Sequence, residues 1–422
     1  MVFISPVVVP ALFFWGVFYD LFSSELPLGI DQPLKLRFYH SLMITTMVLV
    51  IWSWKIMHSC MILSFQQGKI LQKLGICSDL SLMRIVLDGI PPRRDSMLLI
   101  KDIKVDEVPL RIYQPKWPPT GKRRGILYFH GGAGTFGSIS KKRVNSFQWQ
   151  KKTHTTVVVA IVCYRLAPEH PYPGQYFDCL NATLYFMRNL EEYHVDPALI
   201  ILSGDSCGAN FATVICQILL NKRDLPKVRA QVLLYPGLQG LDFHLPSYQQ
   251  NASVPLLFRK SVVYFCFRYL NKEPSGLEDV LQNRHVPESM KQKYKKWVSA
   301  DIIPDTFKMR DYIPQKPTSY KPEVHEAIKE ILAITFSPLL AEDSIIRQLP
   351  ECYILTCEFD VLRDDGLLYK KRLEDNGVQV TWCHSESGFH GILSFFGYGI
   401  FSFLTGKKIM DSTNVNTFDT GF

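Results

Sequence analysis

The pentapeptide Gly204-Asp205-Ser206-Cys207-Gly208 constrains this chain more than any other stretch, because of what stands on either side of it. Ala198-Leu199-Ile200-Ile201-Leu202-Ser203 precedes it, a short apolar run that reads as a buried strand. Ala209 to Leu220 follows and reads as a helix. Strand, G-x-S-x-G, helix is the nucleophile elbow, a turn so tight that the serine backbone is strained. Glycines flank the serine because a Cβ at either place would clash as strand and helix close up. The turn lifts the Ser206 hydroxyl clear of the sheet and aims a helix N-terminus at it. Taken alone, the pentapeptide is also compatible with a glycine-rich turn holding an incidental serine. Its partners decide.

His130-Gly131-Gly132-Ala133-Gly134 directly follows the strand-like run Gly125 to Phe129. Acyl transfer creates an oxyanion, and glycines let successive backbone N–H groups approach it unobstructed. The oxyanion hole is assigned to the N–H groups of Gly132 and Ala133, with Cys207 as third donor and Gly131 supporting the turn. A triad on such a turn needs an acid and then a histidine, in that order after the serine. Asp360 follows the apolar run Glu351 to Cys357, and His390 follows Val378 to Cys383 within Gly388-Phe389-His390-Gly391. Asp360 would fix the imidazole tautomer, and His390 would take and return the Ser206 proton. Asp364 and Asp365 are expected to cap the helix that opens at Leu367. His384 competes with His390 but reads as a strand-end residue. Cys207 competes with Ser206 only if its thiol faces the site, and its side chain should point away.

Four blocks carry a family resemblance: residues 130–134, Tyr164-Arg165-Leu166-Ala167-Pro168-Glu169-His170-Pro171-Tyr172-Pro173, Gly204 to Gly208, and Asp360 to Gly366 with Gly388 to Gly391. On these the chain resembles the hormone-sensitive-lipase-like branch of the α/β-hydrolases, and within it the arylacetamide deacetylase-like proteins. The resemblance covers roughly residues 110–400. It implies an α/β-hydrolase fold and a carboxylic-ester hydrolase facing the endoplasmic-reticulum lumen, with Ser206, Asp360 and His390 as triad. Arg165 and Glu169 would anchor the loop below the site. Ala133 stands where the third glycine of the usual motif belongs, and Cys207 where alanine is usual. Thr135 replaces a cysteine that some relatives carry opposite the counterpart of Cys357, so that disulfide is not expected.

Organisation follows from the rhythm of the chain. From Arg111 onward, short apolar runs alternate with amphipathic ones, as in a mostly parallel α/β sheet. That rhythm breaks between Leu238 and Phe336, which suggests a helical cap over the site. The expected segments are a membrane anchor at 1–66, a cap or linker segment at 67–110, core at 111–237, cap insertion at 238–336, core at 337–405 and a tail at 406–422. Val2 to Tyr19 is apolar, uncharged and about long enough to span a bilayer, and a second apolar stretch runs from Phe38 past Lys55 to Phe65. Neither a basic n-region nor a small-residue cleavage site accompanies the first, so a retained signal anchor is expected. If both stretches span, Lys35 and Arg37 between them favour a cytosolic loop and a lumenal hydrolase, as does a single first span with its N-terminus inside; only a double span with the N-terminus inside would leave the hydrolase cytosolic.

The sequons at Asn181 and Asn251 fit a lumenal domain as glycosylation sites. A net charge of +8 is modest for 422 residues, and its densest run, at 141–152, reads as a solvated helix face, so no nucleic-acid partner is expected. Ten cysteines without a C-x-x-C pair give no zinc pattern; Cys163, Cys216 and Cys352 read as small buried hydrophobes. Neither metal nor cofactor is required by this chemistry. The expected partners are a lipophilic ester or amide substrate and the lipid bilayer. The alternative from another class is a hydrophobic-ligand-binding module with a weak or inactive site, as where this fold serves as a receptor after losing its triad histidine, and His390 argues against it.

Overall fold

The computed structural model describes residues 26–45, 98–116, 121–137, 157–397 and 399–416, with Trp15 and Arg84. The chain divides into two compact units, Met1–Pro91 and Pro92–Phe422. In the first, residues 33–45 are helical, and Ile30 and Leu36 are buried. Among the described residues no helix is long and apolar enough to cross a membrane. The apolar stretches at 2–19 and 38–65 lie outside the described residues except for Trp15 and residues 38–45, and the basic run at 141–152 lies outside them too.

The second unit is built on an eight-stranded sheet in the order β1-β2-β4-β3-β5-β6-β7-β8. The strands are β1 (Leu98–Val105), β2 (Val108–Pro115), β3 (Arg123–Phe129), β4 (Val157–Val162), β5 (Val195–Asp205), β6 (Ala230–Leu234), β7 (Glu351–Phe359) and β8 (Val380–Phe389). Every residue of β4, Val-Val-Val-Ala-Ile-Val, is buried. Such an unbroken apolar run suits a strand covered on both faces. From β4 across to β8 all neighbours are parallel; β2 runs antiparallel to both β1 and β4. Parallel strands send their C-terminal ends to one edge, so the loops after β3, β5, β6, β7 and β8 gather there.

Helices α1 (Gly174–Arg188) and α2 (Cys207–Leu219) come from the first half of this unit. Between β6 and β7 the chain leaves the sheet and forms α3 (Pro246–Gln250), α4 (Arg259–Tyr269) and further short helical pieces. α5 (Arg363–Asp375) follows β7 and α6 (Leu404–Asn416) follows β8. Gly208 through Gln217 of α2 are buried without interruption. A helix covered all round belongs at the centre of a molecule. One hydrophobic cluster runs from the sheet through α2 into the excursion, including Phe243, Tyr248, Val263 and Phe267.

Several expectations need correction. The sheet begins at Leu98, well before Arg111: β1 carries Lys101, Asp102 and Lys104 and disguises itself as surface, as suits a strand paired on one side only. β8 extends to Phe389, so His384 lies inside the strand and not at its end. Asp364 and Asp365 do not cap α5, whose N-cap is Leu362 without a side-chain cap. They bind the excursion instead. Asp364 accepts from the Ser247 N–H at 2.7 Å, and Asp365 accepts from the Leu238 N–H at 2.8 Å and the Tyr248 hydroxyl at 3.2 Å. Donors of a buried loop without a strand partner outcompete the helix's own end. Burial pushes the Asp365 carboxyl up to about 7 against the pull of these hydrogen bonds. Beyond β8 the chain folds inward: Ile392, Leu393, Phe396 and Phe403 are buried, with the Phe389 and Phe403 rings edge to face at 4.8 Å.

Candidate active site

Ser206 sits between β5 and α2 with φ 56 and ψ −124. This conformation is reached by few non-glycine residues and is tolerated only where the surroundings enforce it. The flanking glycines supply the enforcement. A Cβ on Gly204 would lie 2.3 Å from the Gly208 backbone, and one on Gly208 would lie 2.0 Å from the Phe129 carbonyl oxygen. The Ser206 N–H donates to Leu234 O at 2.9 Å, which ties the turn to β6.

The loop after β3 lies beside this turn because β3 pairs with β5, with Phe129 opposite Gly204. Gly132, Ala133 and Gly134 all have positive φ, at 124, 52 and 67. A Cβ on Gly132 would meet Phe136 O at 1.9 Å. Among the described residues no acceptor takes the N–H of Gly132 or Ala133. Cys207 is the first residue of α2, at the end where helix N–H groups project outward. The Gly131 N–H differs: it donates to Asp205 Oδ1 at 2.8 Å. Gly131 therefore supports the loop and is not an oxyanion donor. The same carboxylate oxygen accepts the Tyr128 hydroxyl at 2.6 Å, so buried Asp205 locks the glycine loop to the elbow. Asp205 was not among the expected site residues; its signal was a carboxylate inside an otherwise apolar strand end. The His130 ring stacks on Tyr164 at 4.1 Å, and the Tyr164 hydroxyl donates to His130 O at 2.6 Å.

On the other side of β6, Phe359 pairs with Phe389, so Asp360 and His390 leave their strands in step. His390 Nδ1 lies 2.8 Å from Asp360 Oδ2, and His390 Nε2 lies 3.0 Å from Ser206 Oγ. A carboxylate only accepts, so Nδ1 carries the hydrogen and Nε2 is left to accept from the serine. Asp360 is 1% exposed, and its other oxygen accepts the Leu362 N–H at 2.8 Å. Tyr235, buried at the end of β6 with φ 38, packs edge to face on His390 at 5.1 Å. His384 is engaged elsewhere: Nδ1 pairs with Thr356 Oγ1 at 2.9 Å and Nε2 with Glu358 Oε2 at 3.4 Å.

A family profile described as the alpha/beta hydrolase fold matches residues 126–298 and 305–394. The chain belongs to this family. Human arylacetamide deacetylase-like 4 is 38% identical over 407 residues, 96% of this chain and 95% of that protein. Bovine arylacetamide deacetylase is 35% identical over 373 residues, 88% of this chain and 89% of its own. In three dimensions a thermostable esterase from Pseudomonas putida superposes with a TM-score of 0.58 at 20% identity, covering 92% of this chain and 97% of that one. This α/β hydrolase therefore groups with arylacetamide deacetylase and the proteins named after it.

Four further residues of this hydrolase bear on earlier expectations. Arg165 forms its ion pair with Asp178, at 2.7 Å, while Glu169 is exposed. Asn251 is fully buried, and its Nδ2 donates to Glu358 O and Asp360 O, each at 3.0 Å. A glycan on that nitrogen has no room in the fold, so Asn251 is withdrawn as a glycosylation site. Asn181 is partly exposed on α1.

Proposed function

We propose that this carboxylic-ester hydrolase works through a Ser206–His390–Asp360 triad on lipophilic esters and arylamides, from a membrane anchor. The observation that carries this reading is His390 bridging Ser206 and Asp360 at 3.0 and 2.8 Å. His390 Nε2 takes the Ser206 proton as Oγ bonds to the substrate carbonyl carbon. The carbonyl oxygen becomes an oxyanion held by the N–H groups of Gly132, Ala133 and Cys207. Collapse breaks the C–O or C–N bond, and His390 returns the proton to the departing alcohol or amine. A water then repeats the cycle on the acyl-serine and releases the acid. Asp360 accepts the Nδ1–H and holds the imidazole in the tautomer and orientation that proton transfer needs.

The substrate class follows from the surroundings and the relatives. Phe136, next to the glycine loop, packs edge to face on Phe265 of α4 at 5.4 Å, so an apolar wall from the excursion stands beside the oxyanion side. Arylacetamide deacetylase names an aromatic amide as the substrate of the bovine relative. Each buried CH₂ is worth about 0.8 kcal/mol, roughly fourfold in affinity. The kcat/KM of the purified chain over p-nitrophenyl esters should therefore rise from acetate through the medium chains, and charged esters should be poor. A flat profile overturns the lipophilic-substrate reading, and absence of fluorophosphonate labelling overturns the triad.

A further inference from the structure

We propose that Asn251 is a positioning residue for Asp360, through which the excursion between β6 and β7 holds the acid of the triad in register. The proposal rests on the triad reading above. β6 ends at Leu234, opposite Leu355, so β7 outlasts its neighbour before it reaches Asp360. Carbonyls beyond that point that β8 does not take need donors from elsewhere. The excursion supplies them. Asn251 Nδ2 bridges Glu358 O and Asp360 O at 3.0 Å each, and the Ser247 hydroxyl donates to Val361 O at 2.7 Å.

The amide is itself oriented. Its Oδ1 accepts from Arg310 Nη2 at 3.2 Å, which turns the NH₂ end toward the two carbonyls. Arg310 is fixed in turn by Glu358 Oε1 at 2.7 Å and by the Phe359 ring, 4.8 Å from its Cζ. Residues far apart in the chain thus converge on the backbone that carries Asp360. Asparagine fits this place and aspartate does not, because a second carboxylate oxygen would face two carbonyl oxygens. Both amide hydrogens are spent on carbonyls flanking the acid, so their loss lets Asp360 drift from His390. Displacement by about 1 Å from the reactive geometry costs about 10²-fold in rate.

The test uses the full chain, p-nitrophenyl butyrate and a fluorophosphonate, with thermal melting to verify folding. Asn251→Ala and the near-isosteric Asn251→Asp should each lower kcat about 10- to 100-fold with KM within about twofold. In an Asp360→Asn background, Asn251→Ala should add less than about threefold, because a residue acting through Asp360 has nothing left to position. Ser253→Ala removes the sequon, leaves the exposed Ser253 backbone and the Asn251 amide in place, and should not change activity. Unchanged kcat, a loss confined to KM, or a full multiplicative loss on the Asp360→Asn background overturns the assignment. Were neither Asn251 variant to fold, Arg310→Gln frees the same amide, and an unchanged kcat there overturns it equally. Activity close to the parent's in Ser206→Ala or Asp360→Asn is a different result, and defeats the triad reading instead.

Discussion

Ser206 carries a backbone strain of order 1–3 kcal/mol, and that strain has a visible return. It points the hydroxyl at His390, with the Gly132 and Ala133 N–H groups on the neighbouring loop. Ser206→Ala keeps the backbone and removes the oxygen, so the variant should melt like the parent, lose fluorophosphonate labelling and fall in kcat by about 10⁴–10⁶. Full labelling of the variant would rule Ser206 out. The two histidines separate by their partners. His390→Ala should silence the enzyme, whereas His384→Ala removes contacts to Thr356 and Glu358 and should lower the melting temperature while leaving most activity. The reverse pattern would mean that the wrong histidine faces the serine.

At the scale of elements, the elbow depends on how closely β5, α2 and β3 approach. Gly208→Ala forces a methyl against the Phe129 carbonyl at 2.0 Å, and Gly204→Ala forces one against the Gly208 backbone at 2.3 Å. Each should destabilise by about 3 kcal/mol or more. Gly174→Ala at the start of α1 meets nothing within 4 Å and should be neutral, so equal melting shifts in all three would sink this account. The junction of β7 and α5 governs the response to pH. Burial opposes ionisation of Glu358, yet the His384 hydrogen bond and the charges of Arg363 and Arg310 lower it from 4.5 to about 2. Its contribution is present above pH 4.5 and is lost as pH falls toward about 2. Asp365 has the opposite sign: raised from 3.8 to about 7, it favours the fold at low pH and loses that contribution as pH rises toward about 7. Melting temperature against pH should accordingly lose part of its acid-side fall in Glu358→Gln and part of its fall toward neutrality in Asp365→Asn. Slopes unchanged in both variants would refute the assignment.

For the whole molecule, the open matter is where the hydrolase sits. The uncharged stretch at 2–19, and Lys35 and Arg37 before the second apolar stretch, argue for an anchored chain with its hydrolase in the lumen. In sealed microsomes the region from residue 98 onward should resist added protease and become sensitive once detergent opens the vesicle. Digestion in intact vesicles would place it in the cytosol. Loss of sedimentation with membranes on deleting residues 1–66 should accompany this, and an unchanged distribution would argue against the anchor.

Local sequence determined the buried strands, the elbow and the order of its partners, because each depends on short-range chemistry. Apolar runs mark buried strands, and glycines mark places where a Cβ cannot fit. Ser206, Asp360 and His390, which the structure brings within hydrogen-bond distance, were legible because each lies in the turn or loop that a strand leads into. Residues whose task is set by a distant partner were not legible. Asn251 reads as a sequon until Glu358 and Asp360, more than a hundred positions on, are placed against it. Asp364 and Asp365 read as helix caps until the excursion brings the Ser247, Leu238 and Tyr248 donors to them. In both cases a reading made from neighbours in sequence gave way to a buried donor or acceptor supplied from far along the chain, and only the tertiary structure decides which groups those are.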